Sequence, residues 1–307
     1  MSHYYLISFI QLYVRIFSWD HIVTTVRYRS SNFSRLIETT FISWACSLLD
    51  DKMSGQATKL DWLRPPGPLN IWKVIDGYEM LYDGTCSPIK ISLQEIPPDR
   101  HDEVIEHMCT YFMNEDPACK SLKTKDDPQR KSDMIALWRH CLNQGLVVGA
   151  FTIDYFGRLS RLAAVNMLLV LTDYSELNLV DIVQKFSSPL AIRLFKMYYE
   201  ISLKADVCKI YGVDKFIYSV GLSVAPPYRG QKLSQRLLEV RTDIGRYYGI
   251  KATASTFTTS VSQALAEQAG FKVAHIQYYA NLVHKDGSPV YPNIETPDMR
   301  LMIKKLE

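Results

Sequence analysis

Two apolar runs in the middle of the chain, Leu146–Asp154 and Arg161–Leu171, are joined by a short loop containing Gly157 and Arg158. Runs of this length and composition predict an antiparallel hairpin at the centre of a sheet. Strands and helices alternate on both sides of it. Upstream, Ile89–Ile96 alternates apolar and polar residues as a half-buried strand does, and Pro97 and Pro98 end it. Asp99 is then placed to cap a helix whose apolar face is Val104, Ile105, Met108 and Phe112. A second helix is expected over Gln129–Asn143, stopped by Gly145. Downstream, Leu190, Leu194, Met197, Tyr198 and Ile201 share one face of a long helix. Phe216–Val224 and Lys251–Ser255 read as strands, with a helix carrying Leu233, Leu237, Val240 and Ile244 between them. A further helix, Val261–Ala269, is closed by Gly270, and Phe271–Tyr279 and Met299–Lys304 supply the last strands. A central hairpin combined with this alternation excludes an all-parallel sheet. The fold class is therefore α/β, a mixed and mostly antiparallel central sheet flanked by helices.

The domain so outlined is residues 71–307. Residues 51–70 are polar and rich in Pro and Gly (Arg64 to Pro68), a linker pattern. With residues 1–50 they form an N-terminal extension, expected to be poorly ordered. Tyr4–Phe17 is apolar and aromatic but is broken by Gln11 and Arg15, too short and interrupted for a membrane span. No small-residue cleavage site follows it. Arg15, Arg27, Arg29 and Arg35 among serines resemble an organellar transit peptide, the alternative to a cytoplasmic location. Met53 would serve as an alternative start. The net charge of +3 over 307 residues is too small for a dedicated nucleic-acid binder, yet it would help attract an anionic ligand. Cys46, Cys86, Cys109, Cys119, Cys141 and Cys208 contain no C-x-x-C pair, and no histidine is spaced with them for zinc. They read as reduced, buried thiols, and no metal site is expected.

The chemistry is concentrated where the strand ending at Val224 runs through Pro226, Pro227, Tyr228, Arg229 and Gly230 into an amphipathic helix. Free backbone N–H groups at the start of a helix, together with its dipole, form an anion site suited to a pyrophosphate. Arg229 and Lys232 would add formal charge. No G-x-G-x-x-G accompanies this turn, so nothing points to a dinucleotide.

The segment Val224–Leu238 resembles the acetyl-CoA-binding motif of the GCN5-related N-acetyltransferases, in which V-x-P-x-Y-R-G leads into a (Arg/Gln)-x-x-Gly-x-(Gly/Ala) loop. Arg229 takes the Arg/Gln place; Lys232 stands where that family has Gly, and Ser234 where it has Gly or Ala. Ser262–Phe271 resembles the family's later helix ending in Gly-Phe. About three quarters of the chain follows the family's order of elements. The resemblance implies the acyl-CoA N-acyltransferase fold and acetyl-CoA as co-substrate. Cofactor contacts are implied at Leu222, Ser223 and Val224, on a strand that splays from its neighbour, and at Arg229, Gly230, Gln231, Lys232, Leu233 and Ser234.

Tyr111–Pro117 is similar to a motif of the arthropod arylalkylamine N-acetyltransferase branch, F-(F/x)-x-D-E-P, whose Glu is catalytic. Asp116 stands in that Glu's place here and Glu115 one residue earlier, so either is a candidate base for a small amine acceptor. An alkylammonium has a pKa of about 10 and must lose its proton before it can attack. The family's usual acid, a Tyr on the Gly-Phe helix, is replaced by Ala266; Ser262 on the same helix, or Tyr278 or Tyr279, would have to serve. His275 reads as a strand residue, and His101 and His107 as members of a solvated helix face. The alternatives are a catalytically silent acyl-CoA-binding module, which Lys232 and Ala266 favour, and a protein N-acetyltransferase. The oligomeric state is not legible.

Overall fold

The computed structural model describes residues 62–123, 127–172 and 182–306; the extension before residue 62 lies outside the described residues. Eight strands form one sheet in the order β1-β2-β3-β4-β5-β6-β8-β7. They are β1 (Ile71–Met80), β2 (Cys86–Glu95), β3 (Val148–Ile153), β4 (Leu159–Thr172), β5 (Lys215–Val224), β6 (Ala252–Phe257), β7 (Lys272–Tyr278) and β8 (Asp298–Lys305). β5 and β6 pair in parallel, and the other neighbours pair antiparallel. This is the mixed, mostly antiparallel sheet that the central hairpin predicts. β3 and β4 form that hairpin, and their residues Ala150, Phe151, Ala163, Ala164 and Val165 are fully buried.

The helices are α1 (His101–His107), α2 (Pro117–Ser121), α3 (Pro128–Gln144), α4 (Pro189–Ser202), α5 (Val207–Tyr211), α6 (Leu233–Tyr248) and α7 (Ser260–Gln268). α1 continues through a widened π-turn over Met108–Phe112 and a last α-turn, Met113–Glu115. Its Val104, Ile105 and Met108 join Leu137, Trp138 and Cys141 of α3 and Leu194 and Met197 of α4 in a core on one face of the sheet. Leu233, Leu237, Val240 and Ile244 of α6 pack with Leu168, Val170 and Ile217 on the other face. α3 begins where Asp127 accepts the backbone N–H groups of Gln129 and Arg130, and it ends at Gly145, which is left-handed at φ 81°.

Three local expectations change. Asp99 does not cap α1: Pro98 opens a 3₁₀ turn over Pro98–Arg100, which draws Asp99 inside the turn, and the cap position falls on Arg100 without a side-chain bond. β1 has no counterpart in the sequence reading because it is an edge strand. Ile71 and Val74 are exposed, so alternation is lost. The stretch before β1 is fastened to the sheet rather than free from residue 62 on. Arg64 Nε meets the fully buried Glu95 at 2.7 Å, and Asn70 N and Tyr248 Oη donate to the same carboxylate.

Candidate active site

β5 is the spine of the site. It pairs with β4 from Thr172↔Lys215 to Ala164↔Val224, with an irregularity between Asn166 and Leu168. With β6 it pairs over Ile217–Ser219 alone, opposite Thr253–Ser255. Beyond Ser219 the β6-facing backbone of β5 has left the ladder. The Leu222–Val224 stretch expected to splay is this free edge, with Ser223 buried and Leu222 and Val224 half-buried.

A buried polar cluster sits where the two strands part. Asn166, with its amide oxygen toward α6, accepts from Arg241 Nη2 and Nε at 3.1 and 3.2 Å and donates to Ser219 Oγ (2.7 Å) and the Gly221 carbonyl (3.3 Å). Arg241 also donates to Thr253 Oγ1 at 3.2 Å and Ser255 Oγ at 2.9 Å, and stands over the Phe271 ring. It is 1% exposed and forms no ion pair among the described residues; burial pulls its pKa down to about 9. Its spacing, four residues after Leu237 and three before Ile244, puts it on the buried stripe of α6 and is the sequence signal for its burial.

After β5 the chain turns over Pro226–Tyr228 and enters α6 through two left-handed residues, Gly230 (φ 81°) and Lys232 (φ 63°). The left-handed backbone at 232 is the physical reason for a Gly there: a side chain in this region costs about 1–2 kcal/mol. Gln231 is a clamp. Its side chain accepts from Tyr78 N at 2.9 Å and donates to the carbonyls of Tyr78 (2.6 Å) and Tyr228 (3.0 Å). Gly77 makes room for it, since a Cβ there would lie 2.5 Å from Gln231 Oε1. The Leu233 side chain enters the core, and Ser234 is half-buried. Lys232 caps the start of α6 without any side-chain hydrogen bond, so no side chain of the cap claims the first N–H groups. Arg236 Nε, one turn into the helix, is buried without a partner. Uncapped amides and an orphaned cationic donor fit an anionic group such as a pyrophosphate.

Arg229, expected at that group, donates from Nε to the Val224 carbonyl at 3.0 Å and from Nη2 to Glu115 at 2.6 Å. The pair is half-exposed on both sides. Two residues singled out for different roles, phosphate ligand and base, thus hold each other. Asp116 is oriented differently. It is buried, caps α2 by accepting Cys119 N–H at 2.9 Å, and accepts the Tyr198 hydroxyl at 3.3 Å. Tyr198, Tyr279 and Tyr291 surround it, and burial first, then the Asp116 charge, raises the pKa of all three phenols. The buried Tyr279 hydroxyl has no partner, whereas Tyr278 is half-exposed. A cleft of about 340 Å³ is lined by Met197, Glu200 and Ile201 of α4, by Leu203 and Lys204 just after it, by Gln277 of β7 and by Leu282.

Ser262 is not brought to this group. Its hydrogen bonds are all with Thr259, in a reciprocal capping box at the start of α7. Ala266 is a core contact. His107, expected on a solvated face, is buried at 5% exposure, its ring edge-on to Tyr111 and hydrogen-bonded to the Ser223 backbone. It lies within α1, three residues after the buried Val104 and directly before the π-turn, so its helical spacing already sets it beside the apolar face.

The sequence matches no protein-family profile and no curated protein. Solved structures do resemble it. A protein described as a putative arylalkylamine N-acetyltransferase 7 of the yellow fever mosquito Aedes aegypti superposes with a TM-score of 0.71 at 24% identity, over 80% of this chain and 100% of its own. The chain has the fold of the GCN5-related N-acetyltransferases. Arylalkylamine N-acetyltransferase 2 of the same mosquito gives 0.63 at 20% identity, over 71% and 99% of the two chains. A Drosophila melanogaster polyamine N-acetyltransferase that forms N-acetylagmatine gives 0.58 at 16%, over 70% and 100%. In this fold the parting of β5 from β6 and the uncapped start of α6 lie at one end of the same strand.

Proposed function

We propose that the protein is an acetyl-CoA-dependent N-acetyltransferase acting on a small amine. The observation that carries the reading is β5 itself: its backbone edge is free after Ser219, and the turn that follows delivers it to an uncapped helix N-terminus. The α6 amides, Arg229 and Arg236 would hold the pyrophosphate, and Leu222–Val224 the pantetheine arm. Bound acetyl-CoA supplies an acyl thioester. A backbone donor of β5 aimed at the oxygen that gains charge would contribute roughly 3 kcal/mol to lowering the barrier.

Asp116 is the base in this reading. It is buried and accepts the Tyr198 hydroxyl, whereas Glu115 is half-exposed and engaged by Arg229. Asp116 takes the proton of the amine, directly or through a water. Tyr279 keeps its proton because burial and the Asp116 charge both oppose the phenolate, so it is the donor available for the leaving group. The cleft volume is in the range of small-molecule sites, and the mosquito and fly neighbours are named for arylalkylamines and polyamines. Thiol release from acetyl-CoA, measured against arylalkylamines, agmatine, polyamines and peptides, tests the reading. Turnover on one of the small amines is the expected result. The N-cap bond of Asp116 favours the second reading, a silent acyl-CoA-binding module, which predicts binding with no turnover on any acceptor.

A further inference from the structure

The continuation of α1 lies directly on the free part of β5. A Cβ on Gly221 would meet Met108 Cε at 2.8 Å and the Phe112 ring at 3.1 Å, so the helix touches the strand's backbone there. His107, the residue before Met108, reaches Ser223 further along β5 through a hydrogen bond to its backbone. The ring is pinned edge-on to Tyr111 at 4.9 Å, and its Nε2 is buried with no partner.

The protonation state of this ring decides what the orphaned nitrogen needs. Glu103 and the Ser223 bond favour the charged form, Arg229 opposes it, and burial outweighs them all. The imidazole is therefore neutral near pH 7. A neutral imidazole that donates through one nitrogen presents a lone pair on the other. Buried acceptors without a donor are uncommon in folded proteins, and a donor carried by a ligand would satisfy this one. The pyrophosphate and the thioester carry acceptors only, while the pantetheine arm between them carries two amide N–H groups. Two of the groups acting on His107, Ser223 and Arg229, belong to the cofactor side of the site rather than to the Asp116 side.

We propose that His107 is a binding residue for the pantetheine arm, its Nε2 accepting a hydrogen bond from an arm amide as the arm lies along Gly221–Val224. The inference rests on the acetyl-CoA reading above and adds a side-chain contact to it.

The test uses the full chain labelled with ¹⁵N-histidine. On adding acetyl-CoA, the unprotonated nitrogen of His107 moves upfield, as a free lone pair does on accepting a hydrogen bond. 3′-Phospho-ADP, the nucleotide end without the arm, leaves it where it was. Calorimetry on His107→Asn follows. The shorter amide can keep the Ser223 bond but does not extend to the Nε2 position. Loss of one neutral hydrogen bond should weaken acetyl-CoA binding about fivefold to tenfold, with 3′-phospho-ADP affinity unchanged. A His107 nitrogen that stays put while acetyl-CoA binds the wild type, or a variant that weakens both ligands alike, overturns the proposal and leaves the acetyl-CoA reading intact. A wild-type protein that binds no acetyl-CoA overturns both.

Discussion

Asp116→Asn and Glu115→Gln separate two carboxylates that are adjacent in sequence and divergent in space. Asn is as good an N-cap as Asp, so Asp116→Asn keeps the Cys119 N–H bond and should cost less than about 1 kcal/mol of stability. It removes the only change that matters to a base, the ability to hold a proton. General-base loss is worth about 10²–10⁴ in turnover near pH 7. The deficit should narrow as the pH approaches the amine's own pKa of about 10, where the free amine needs no base. Glu115→Gln releases Arg229 from a pair half-exposed on both sides. Such a pair is worth about 0.2–1 kcal/mol, so acetyl-CoA affinity should rise by at most about fivefold and turnover should hardly move. The assay is thiol release on the best small amine across pH 6–10, with calorimetry for acetyl-CoA on each variant. If Asp116→Asn retains wild-type turnover and Glu115→Gln loses it, the base is Glu115 after all, and Asp116 is a helix cap. If both are active with unchanged pH profiles, no carboxylate of this segment is the base.

Three further outcomes follow from the same geometry. Arg229→Ala should raise the Michaelis constant for acetyl-CoA about tenfold, in line with a charge-assisted bond of about 1.5 kcal/mol, while the melting temperature stays put; an unchanged constant would leave the α6 amides as the anion site. Lys232→Gly removes a side chain from a left-handed position and should stabilise the fold by up to about 1 kcal/mol in urea denaturation, after the greater chain entropy of Gly is subtracted; a loss of stability would show that the Lys232 side chain makes a compensating contact. His107 has its pKa lowered by burial from 6.5 to about 4, so between those values the unfolded chain binds the extra proton and stability falls as the pH drops. Wild type minus His107→Phe should therefore lose about 3 kcal/mol from pH 7 to pH 4, and a pH-independent difference would mean the ring is solvated.

Periodicity and chain order carried the architecture. The apolar runs around Gly157 can be buried only as a central hairpin, and the helices with 3.6-residue stripes then have two sheet faces to cover, so the fold class was legible before any coordinate. The strand–turn–helix at Val224–Leu238 was legible for the same reason, since a Pro-Pro stop, a Gly and an amphipathic run are all local signals. Tertiary structure decided the site. The motif before Pro117 left both Glu115 and Asp116 open as the base; the structure sets them apart by turning one carboxylate outward to Arg229 and the other inward among Tyr198, Tyr279 and Tyr291. Ser262 carries a hydroxyl wherever it lies, and the start of α7 spends it on a capping box. His107 and Arg241 are polar residues at the spacing of their helices' apolar stripes, and the packing of α1 and α6 on the sheet buries them. Burial, charge pairing and the direction of a side chain depend on what the rest of the chain places opposite, and that information is nonlocal.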